Sequence, residues 1–125
     1  MNSAEEAGGT AYGVTGTIVL KGPDDLKRLG SVLEDIGEWV RSQAGMFLGH
    51  VKSSLDQGDG KMTLNLTDLK IGTEYHGIIQ FPATAVMKFM AAVLDMDHKR
   101  LEETVLTKLR AIGFKPENDK IIKLG

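Results

Sequence analysis

The residues of this sequence best suited to chemistry are two histidines, a lysine and a few polar side chains in its middle third. An imidazole titrates near neutral pH, so a histidine serves as a general acid or base, and an ammonium group attracts anions. Placed together, such groups bind an anion, a carbonyl compound or a polar partner. The candidate ligand-binding residues are His50, Lys52, Asn65, Thr67 and His76.

The apolar pattern around these residues predicts a β-hairpin that places part of the set on one face of a sheet. Residues 46–55 and 61–69 flank the turn-rich residues 56–60. Because side chains alternate along a strand, pairing Leu55 with Met62 gathers the apolar side chains of both strands on one face. The opposite face then pairs His50 with Thr67, Lys52 with Asn65, and Ser54 with Thr63.

A second predicted hairpin extends the same polar face. A turn at residues 71–72 leads into a third strand over residues 75–81, and pairing Leu66 with Gly77 again gathers the apolar residues. This polar face is either a solvated or assembly surface, as in any half-exposed antiparallel sheet, or a ligand site. The predicted rows are His50–Thr67–His76 and Lys52–Asn65–Ile78, with Thr63 beside Gln80.

The predicted register argues against a metal ion shared by the histidines. His50 and His76 would lie about two strand spacings, or ~10 Å, apart. Two ligands of one ion, with bonds of ~2.1 Å, cannot be separated by that distance. The sequence also lacks the spacing required for a phosphate loop, a calcium loop or a nucleophile elbow. We therefore predict no metal and no cofactor, and the sequence identifies no catalytic residue.

Composition limits the classes to which the chain can belong. It has 125 residues, 42% of them hydrophobic and 26% charged, which is typical of a single globular domain. The absence of cysteine excludes disulfides and thiolate metal sites. A net charge of −2 offers no basic excess for nucleic acid, and no apolar run approaches the ~20 residues that span a bilayer. Residues 1–9 show no signal peptide, so we predict a soluble, cytoplasmic protein that binds neither nucleic acid nor membrane.

The predicted elements belong to one domain. Residues 1–12 show no periodicity and are predicted to be flexible, ahead of a single α+β domain over residues 13–125. Gly30 and Gly37 lie two turns apart on the first helix, which indicates either close approach to another element or tolerated surface glycines. The predicted elements are a strand over residues 14–21, a helix from Pro23 to Ala44, the three hairpin strands, helices over residues 84–94 and 97–112, and a strand over residues 120–124.

This order, β-α-β-β-β-α-α-β, predicts an α+β fold with a mainly antiparallel sheet of four or five strands and helices packed on one face. A ferredoxin-like arrangement is the alternative, if one of the middle strands is a loop.

For function, the sequence favours a non-enzymatic binding or assembly module that forms a homodimer or a higher homo-oligomer. No catalytic signature is present, no helix clearly covers the polar face, and Val19 and Ile78 place apolar side chains on it. The alternative is a protein, or an enzyme, that binds a small polar molecule such as an anion or a carbonyl compound. Its site would be the sheet face around His50, Lys52, Thr67 and His76.

Overall fold

The computed structural model describes residues 9–117, which form an α+β fold with a six-stranded antiparallel sheet and two helices. The order of the strands across the sheet is β4-β3-β2-β5-β1-β6. The strands are β1 (Gly9–Leu20), β2 (Gly49–Asp56), β3 (Lys61–Leu66), β4 (Glu74–Ile78), β5 (Ala83–Leu94) and β6 (Lys115–Pro116), and the helices are α1 (Pro23–Ala44) and α2 (His98–Ala111).

Helix α1 begins and ends where its sequence predicts. Pro23 occupies the first turn, where its missing N–H costs nothing, and Asp24 and Asp25 add negative charge at the positive end of the helix dipole. Gly45 ends the helix with a φ of 88°, and its N–H donates to the carbonyl of Arg41 at 2.8 Å. The predicted helix from Pro23 to Ala44 is confirmed.

The hydrophobic core lies between the two helices and one face of the sheet. Alternate residues of every long strand point to this covered face, because successive side chains of a strand point in opposite directions. On β5, the central strand by position, the covered side chains are Ala85, Met87, Phe89, Ala91 and Val93, and all five are buried.

The prediction of a helix over residues 84–94 was wrong, because these residues form β5. Alanine, methionine and lysine dominate the segment, and all three favour helices in isolation. In the fold, β5 pairs with β1 over twelve residues and with β2 over eight, so pairing on both edges overrides the local preference. The alternation of buried Met87 and Phe89 with exposed Val86 and Lys88 is the strand signal that the helical interpretation missed.

The start of the described chain differs from prediction as well. β1 begins at Gly9, so residues 9–12 belong to a strand, whereas residues 1–8 and the predicted strand over residues 120–124 lie outside the described residues. The described order, β-α-β-β-β-β-α-β, places four strands between the helices. A ferredoxin-like chain has two strands there, so this fold is a different one.

The glycines of α1 confirm the prediction of close approach. A Cβ atom at Gly30 would overlap the Tyr75 hydroxyl, and one at Gly37 would lie 2.8 Å from Leu66 and 2.9 Å from Leu69. The segment before β4 also binds α1 directly. The Thr73 N–H donates to Glu34 Oε2 at 2.9 Å, and the Thr73 hydroxyl donates to the Gly30 carbonyl at 2.8 Å.

Candidate functional site

The candidate site is the face of the sheet opposite the helices, which we call the open face. Between residues 9 and 117, no element packs over it, and it exposes Val19, Ile78 and Val86 by 55%, 77% and 46%. In its β2–β4 half the side chains are His50, Lys52, Ser54, Asp56, Lys61, Thr63, Asn65, Glu74, His76 and Ile78. In its β1–β5 half they are Ala11, Gly13, Thr15, Thr17, Val19, Thr84, Val86, Lys88, Met90, Ala92 and Leu94.

The first hairpin has the predicted register. Leu55 pairs with Met62 and Val51 with Leu66, so the apolar side chains of β2 and β3 lie on the covered face. On the open face, this register places Lys52 directly opposite Asn65, as predicted. The alternation of apolar residues along the two strands therefore predicts this pairing correctly.

The predicted register of the second hairpin was wrong by four residues. Met62, and not Leu66, pairs with Gly77, because the chain turns two residues earlier than expected. Asp68 forms that turn: its carbonyl accepts from the Ile71 N–H at 3.1 Å, and its carboxylate accepts from the Lys70 N–H at 2.8 Å. The open-face pairs are Asn65 with Glu74, Thr63 with His76, and Lys61 with Ile78.

This shift separates the two candidate histidines. His50 lies at the start of β2 opposite Ala92, and His76 lies on the edge strand β4 opposite Thr63. They are two strands apart across the sheet and four residues apart along it, or ~10 Å and ~13 Å respectively. Thr67 follows the end of β3 and is exposed. Of the five predicted site residues, the structure brings only Lys52 and Asn65 into direct opposition.

No metal centre is evident on this face. Among residues 9–117, no cluster of three or more histidine, cysteine, aspartate or glutamate side chains could hold a metal ion.

Sequence reasoning missed the contribution of β5 to the open face, because it treated β5 as a helix. Lys88 lies between Ser54 of β2 and Thr15 of β1. Met90 lies between Lys52 and Gly13 in the next row. Lys52 and Lys88 are therefore diagonal neighbours on adjacent strands, which the helical interpretation of residues 84–94 could not show.

A hollow of about 230 Å³ lies over this junction of β2, β5 and β1. Lys52, Ser54 and Lys88 line one part of it, and Gly13 and Met90 line another. A wider hollow of about 710 Å³ continues toward the β2–β3 turn and is lined in part by Asp56, Lys61 and Thr63. The open face is thus concave at two adjoining places.

The charges around these hollows are unevenly paired. Lys61 Nζ lies 3.9 Å from Asp56 Oδ2, and the other carboxylate oxygen of Asp56 accepts from the Gly58 N–H at 2.8 Å. Lys52 and Lys88 form no ion pair with any residue between 9 and 117. The two lysines beside the smaller hollow are therefore free to bind an anion.

Among residues 9–117, the one ionisable side chain whose pKa departs clearly from its ordinary value lies on the covered side. Burial raises the pKa of the Tyr75 hydroxyl above its ordinary value of 10.0, and the nearby Glu34 carboxylate raises it further. Tyr75 lies against α1 at Gly30, away from the open face. This shift therefore reports on how β4 is attached to the helix and does not mark an acid or base on the candidate site.

The chain matches no family model, no curated protein and no solved structure. Neither described helix combines the length and the apolar composition that a bilayer-crossing segment requires.

Proposed function

We propose that this domain is a non-enzymatic binding and assembly module whose open face is its working surface and whose partner is a second copy of the chain. The carrying observation is that both helices pack on one face, so that no helix or strand of residues 9–117 covers the other face of the central strand β5. Val86 is 46% exposed there, although its neighbours in sequence, Ala85 and Met87, are fully buried.

The size of the open face suits a dimer. Six strands at a spacing of ~4.8 Å span ~24 Å, and the eight residues of β2 rise ~26 Å. The face thus offers ~600 Å² per copy, or ~1,200 Å² for two, which is at the lower end of stable protein–protein interfaces. Two open faces packed together also form the two-layer arrangement that β-sandwiches use.

The distribution of charge favours the β1–β5 half as the centre of that interface. On β1 and β5, Lys88 is the one charged side chain of the open face, and Lys115 lies at the edge of this half on β6, opposite Thr17. The β2–β4 half carries Lys52, Asp56, Lys61 and Glu74. A two-fold dimer centred on the β1–β5 half therefore buries the least charge and leaves the polar half at the rim, as is usual for interfaces.

The test is the molecular mass measured by sedimentation over a range of protein concentrations. We expect a dimer that Val86→Asp dissociates, because the substitution places a carboxylate in the buried centre of the interface. Leu48→Asp is the matched control: Leu48 is 48% exposed, nearly the same as Val86, but it precedes β2 and lies near the end of α1. A wild-type chain that stays monomeric at high concentration would contradict the proposal.

A small-molecule site is the second candidate function, and one observation favours it. The predicted site residues are separated both across the strands of the sheet and along them; they are His50, Lys52, Asn65, Thr67 and His76. Lys52, however, borders a hollow that Lys88 also lines. The two lysines are therefore the stronger basis for ligand binding. A cytoplasmic location likewise stays a prediction from the sequence.

A further inference from the structure

We propose that the 230 Å³ hollow between Lys52 and Lys88 is a binding site for a small organic carboxylate. The proposal rests on the proposed function, because it names the ligand that the working surface takes and the way in which that ligand controls association. The site has three parts: two ammonium groups that form no ion pair within residues 9–117, flanking hydroxyl groups and an apolar floor.

The two lysines form the anion-binding part. Lys52 pairs with Met90 and Lys88 with Ser54, so the two side chains stand on adjacent strands, two residues apart and on the same face. Diagonal neighbours of this kind have Cα atoms ~7–8 Å apart, which lets both ammonium groups reach a single carboxylate. Asp56, the acid that lies diagonal to Lys88 on β2, is 3.9 Å from Lys61 Nζ and accepts from the Gly58 N–H. An external anion is therefore the natural partner of this pair.

Hydroxyl groups flank the lysine pair on both sides. Ser54 lies opposite Lys88 on β2, and Thr15 lies opposite Lys88 on β1. Both residues are half-buried and line the hollow. A hydroxyl donates to a carboxylate oxygen as readily as it accepts from an ammonium group, so these residues complete a polar rim for an anion.

The floor of the hollow is apolar. Gly13 lies opposite Met90 and contributes no side chain, which leaves a depression bounded by Met90 and by the backbone of Val14 and Phe89, whose side chains point to the covered face. Inorganic phosphate would leave this floor uncovered, and an uncharged apolar molecule would desolvate the two ammonium groups without compensation. An anion with an apolar body satisfies both parts of the hollow.

The volume limits the size of the ligand. A hollow of about 230 Å³ holds roughly eight molecules of water at ~30 Å³ each, which corresponds to an organic molecule of about ten non-hydrogen atoms. Benzoate, with a carboxylate on one aromatic ring, is a probe of this size. Benzyl alcohol has nearly the same shape without the charge, and phosphate has the charge without the ring.

Ligand binding and association are coupled at this site. Face-to-face sheets pack ~10 Å apart, so a dimer through the open face brings Lys52 and Lys88 of both copies into one layer. Four ammonium groups in that layer repel one another unless anions accompany them. A carboxylate in each hollow halves the positive charge of this layer, and its apolar body adds to the buried surface. We therefore expect benzoate to strengthen the dimer.

The experiment titrates the full chain with benzoate, benzyl alcohol and phosphate, and follows backbone amide signals by NMR. We expect saturable benzoate shifts at residues 13–15, 52–54 and 88–90, with binding at least tenfold tighter than that of either other probe. Lys52→Met and Lys88→Met keep the length of the side chains and remove the charge, and each should weaken benzoate binding at least tenfold. Lys27→Met, on the exposed surface of α1, should leave binding unchanged.

Sedimentation with and without benzoate separates this proposal from the proposed function. A dimer that benzoate strengthens in the wild type, but not in the Lys52→Met, Lys88→Met double variant, supports both. A dimer that is indifferent to benzoate, with no NMR shifts at the hollow, overturns the carboxylate site and leaves the assembly function standing. A monomer that binds benzoate through the two lysines overturns the assembly function and the coupling, and leaves the carboxylate site standing. A dimer that benzoate dissociates, and that Glu74→Gln also weakens, shows that the lysines bind the partner's carboxylates and overturns the coupling.

Discussion

The two faces of strand β5 carry similar residue types in opposite surroundings. On the covered face, Met87 and Phe89 are buried against the helices. On the open face, Met90 is half-buried and Val86 is 46% exposed. Apolar residues therefore occur on both faces, but the described chain uses only one set of them for its own core.

This difference shows what each face contributes. Burial on the covered face stabilises the fold, since each buried apolar side chain contributes about 1.5–3 kcal/mol. The same residue types on the open face contribute little to the single chain, and their apolar surface becomes useful only when something covers it. Substitutions on the covered face should accordingly change the stability of the fold, and substitutions on the open face should change binding. Comparing neighbouring residues that point to opposite faces makes this difference measurable.

The largest expected difference in the free energy of unfolding is between substitutions of Met87 and of Met90. Met87→Ala removes a fully buried side chain and leaves a cavity, so we expect the free energy of unfolding to fall by about 2–5 kcal/mol. Met90→Ala, three residues away on the open face, should lower the unfolding free energy of the monomer by less than about 1 kcal/mol. Urea unfolding at low protein concentration measures both. Equal losses would show that the open face is covered within one chain.

The close approach of α1 to β4 allows a second test of how the covered face is built. Gly30→Ala gains about 1 kcal/mol of helix propensity, but its Cβ overlaps the Tyr75 hydroxyl, and such overpacking costs about 1–3 kcal/mol. We expect a net loss of about 1 kcal/mol in urea unfolding. In a Tyr75→Ala background the clash is absent, so the same substitution should stabilise the protein by about 1 kcal/mol. A loss of equal size in both backgrounds would exclude the contact as its cause.

How far the sequence predicted the fold depended on whether local pattern and tertiary pairing agreed. They agreed for α1, whose apolar stripe, proline start and glycine end are local signals, and for the first hairpin, whose short turn sets the register. They disagreed for β5, because alanine and methionine favour a helix and only pairing with β1 and β2 makes the segment a strand. A prediction from residue propensities uses the local pattern and contains no information on which strands pair in the fold.

The candidate site was predicted less well than the fold for the same reason. Lys52 and Asn65 were paired correctly because one hairpin contains both. His76 was placed on the correct face but in the wrong row, because a turn centre displaced by two residues moves every partner by four. Lys88 was missed because its strand was predicted as a helix. Residues brought together by strands that are not consecutive in the sequence are thus the ones that the sequence could not identify.

The raised pKa of Tyr75 predicts a stability change with pH that arises on the covered side. The folded protein binds the hydroxyl proton more tightly than the unfolded chain does, because the pKa is 10.0 when the residue is solvated. The unfolded chain therefore releases this proton first, and the free energy of unfolding should fall as the pH rises above 10 toward the folded pKa. Below pH 10 this group makes no difference. Tyr75→Phe removes the hydroxyl, so the free energy of unfolding of the variant should fall less than that of the wild type as the pH rises. Urea unfolding of both proteins between pH 8 and pH 11 measures this difference. If the free energy of unfolding fell equally with pH in both proteins, the assignment of this loss to Tyr75 would be contradicted.

The smallest expected effect compares two adjacent serines on opposite faces of β2. Ser53 is fully buried between Leu64 and Phe89, and its hydroxyl has no hydrogen-bond partner among residues 9–117. Because an unpaired buried hydroxyl costs free energy, Ser53→Ala should stabilise the fold by up to about 1 kcal/mol. Ser54→Ala, on the open face, should change the unfolding free energy by less than about 0.5 kcal/mol. Instead, it should weaken benzoate binding, because Ser54 lines the hollow beside Lys88. If Ser53→Ala affected benzoate binding as much as Ser54→Ala, the two faces of the sheet would not be functionally separate.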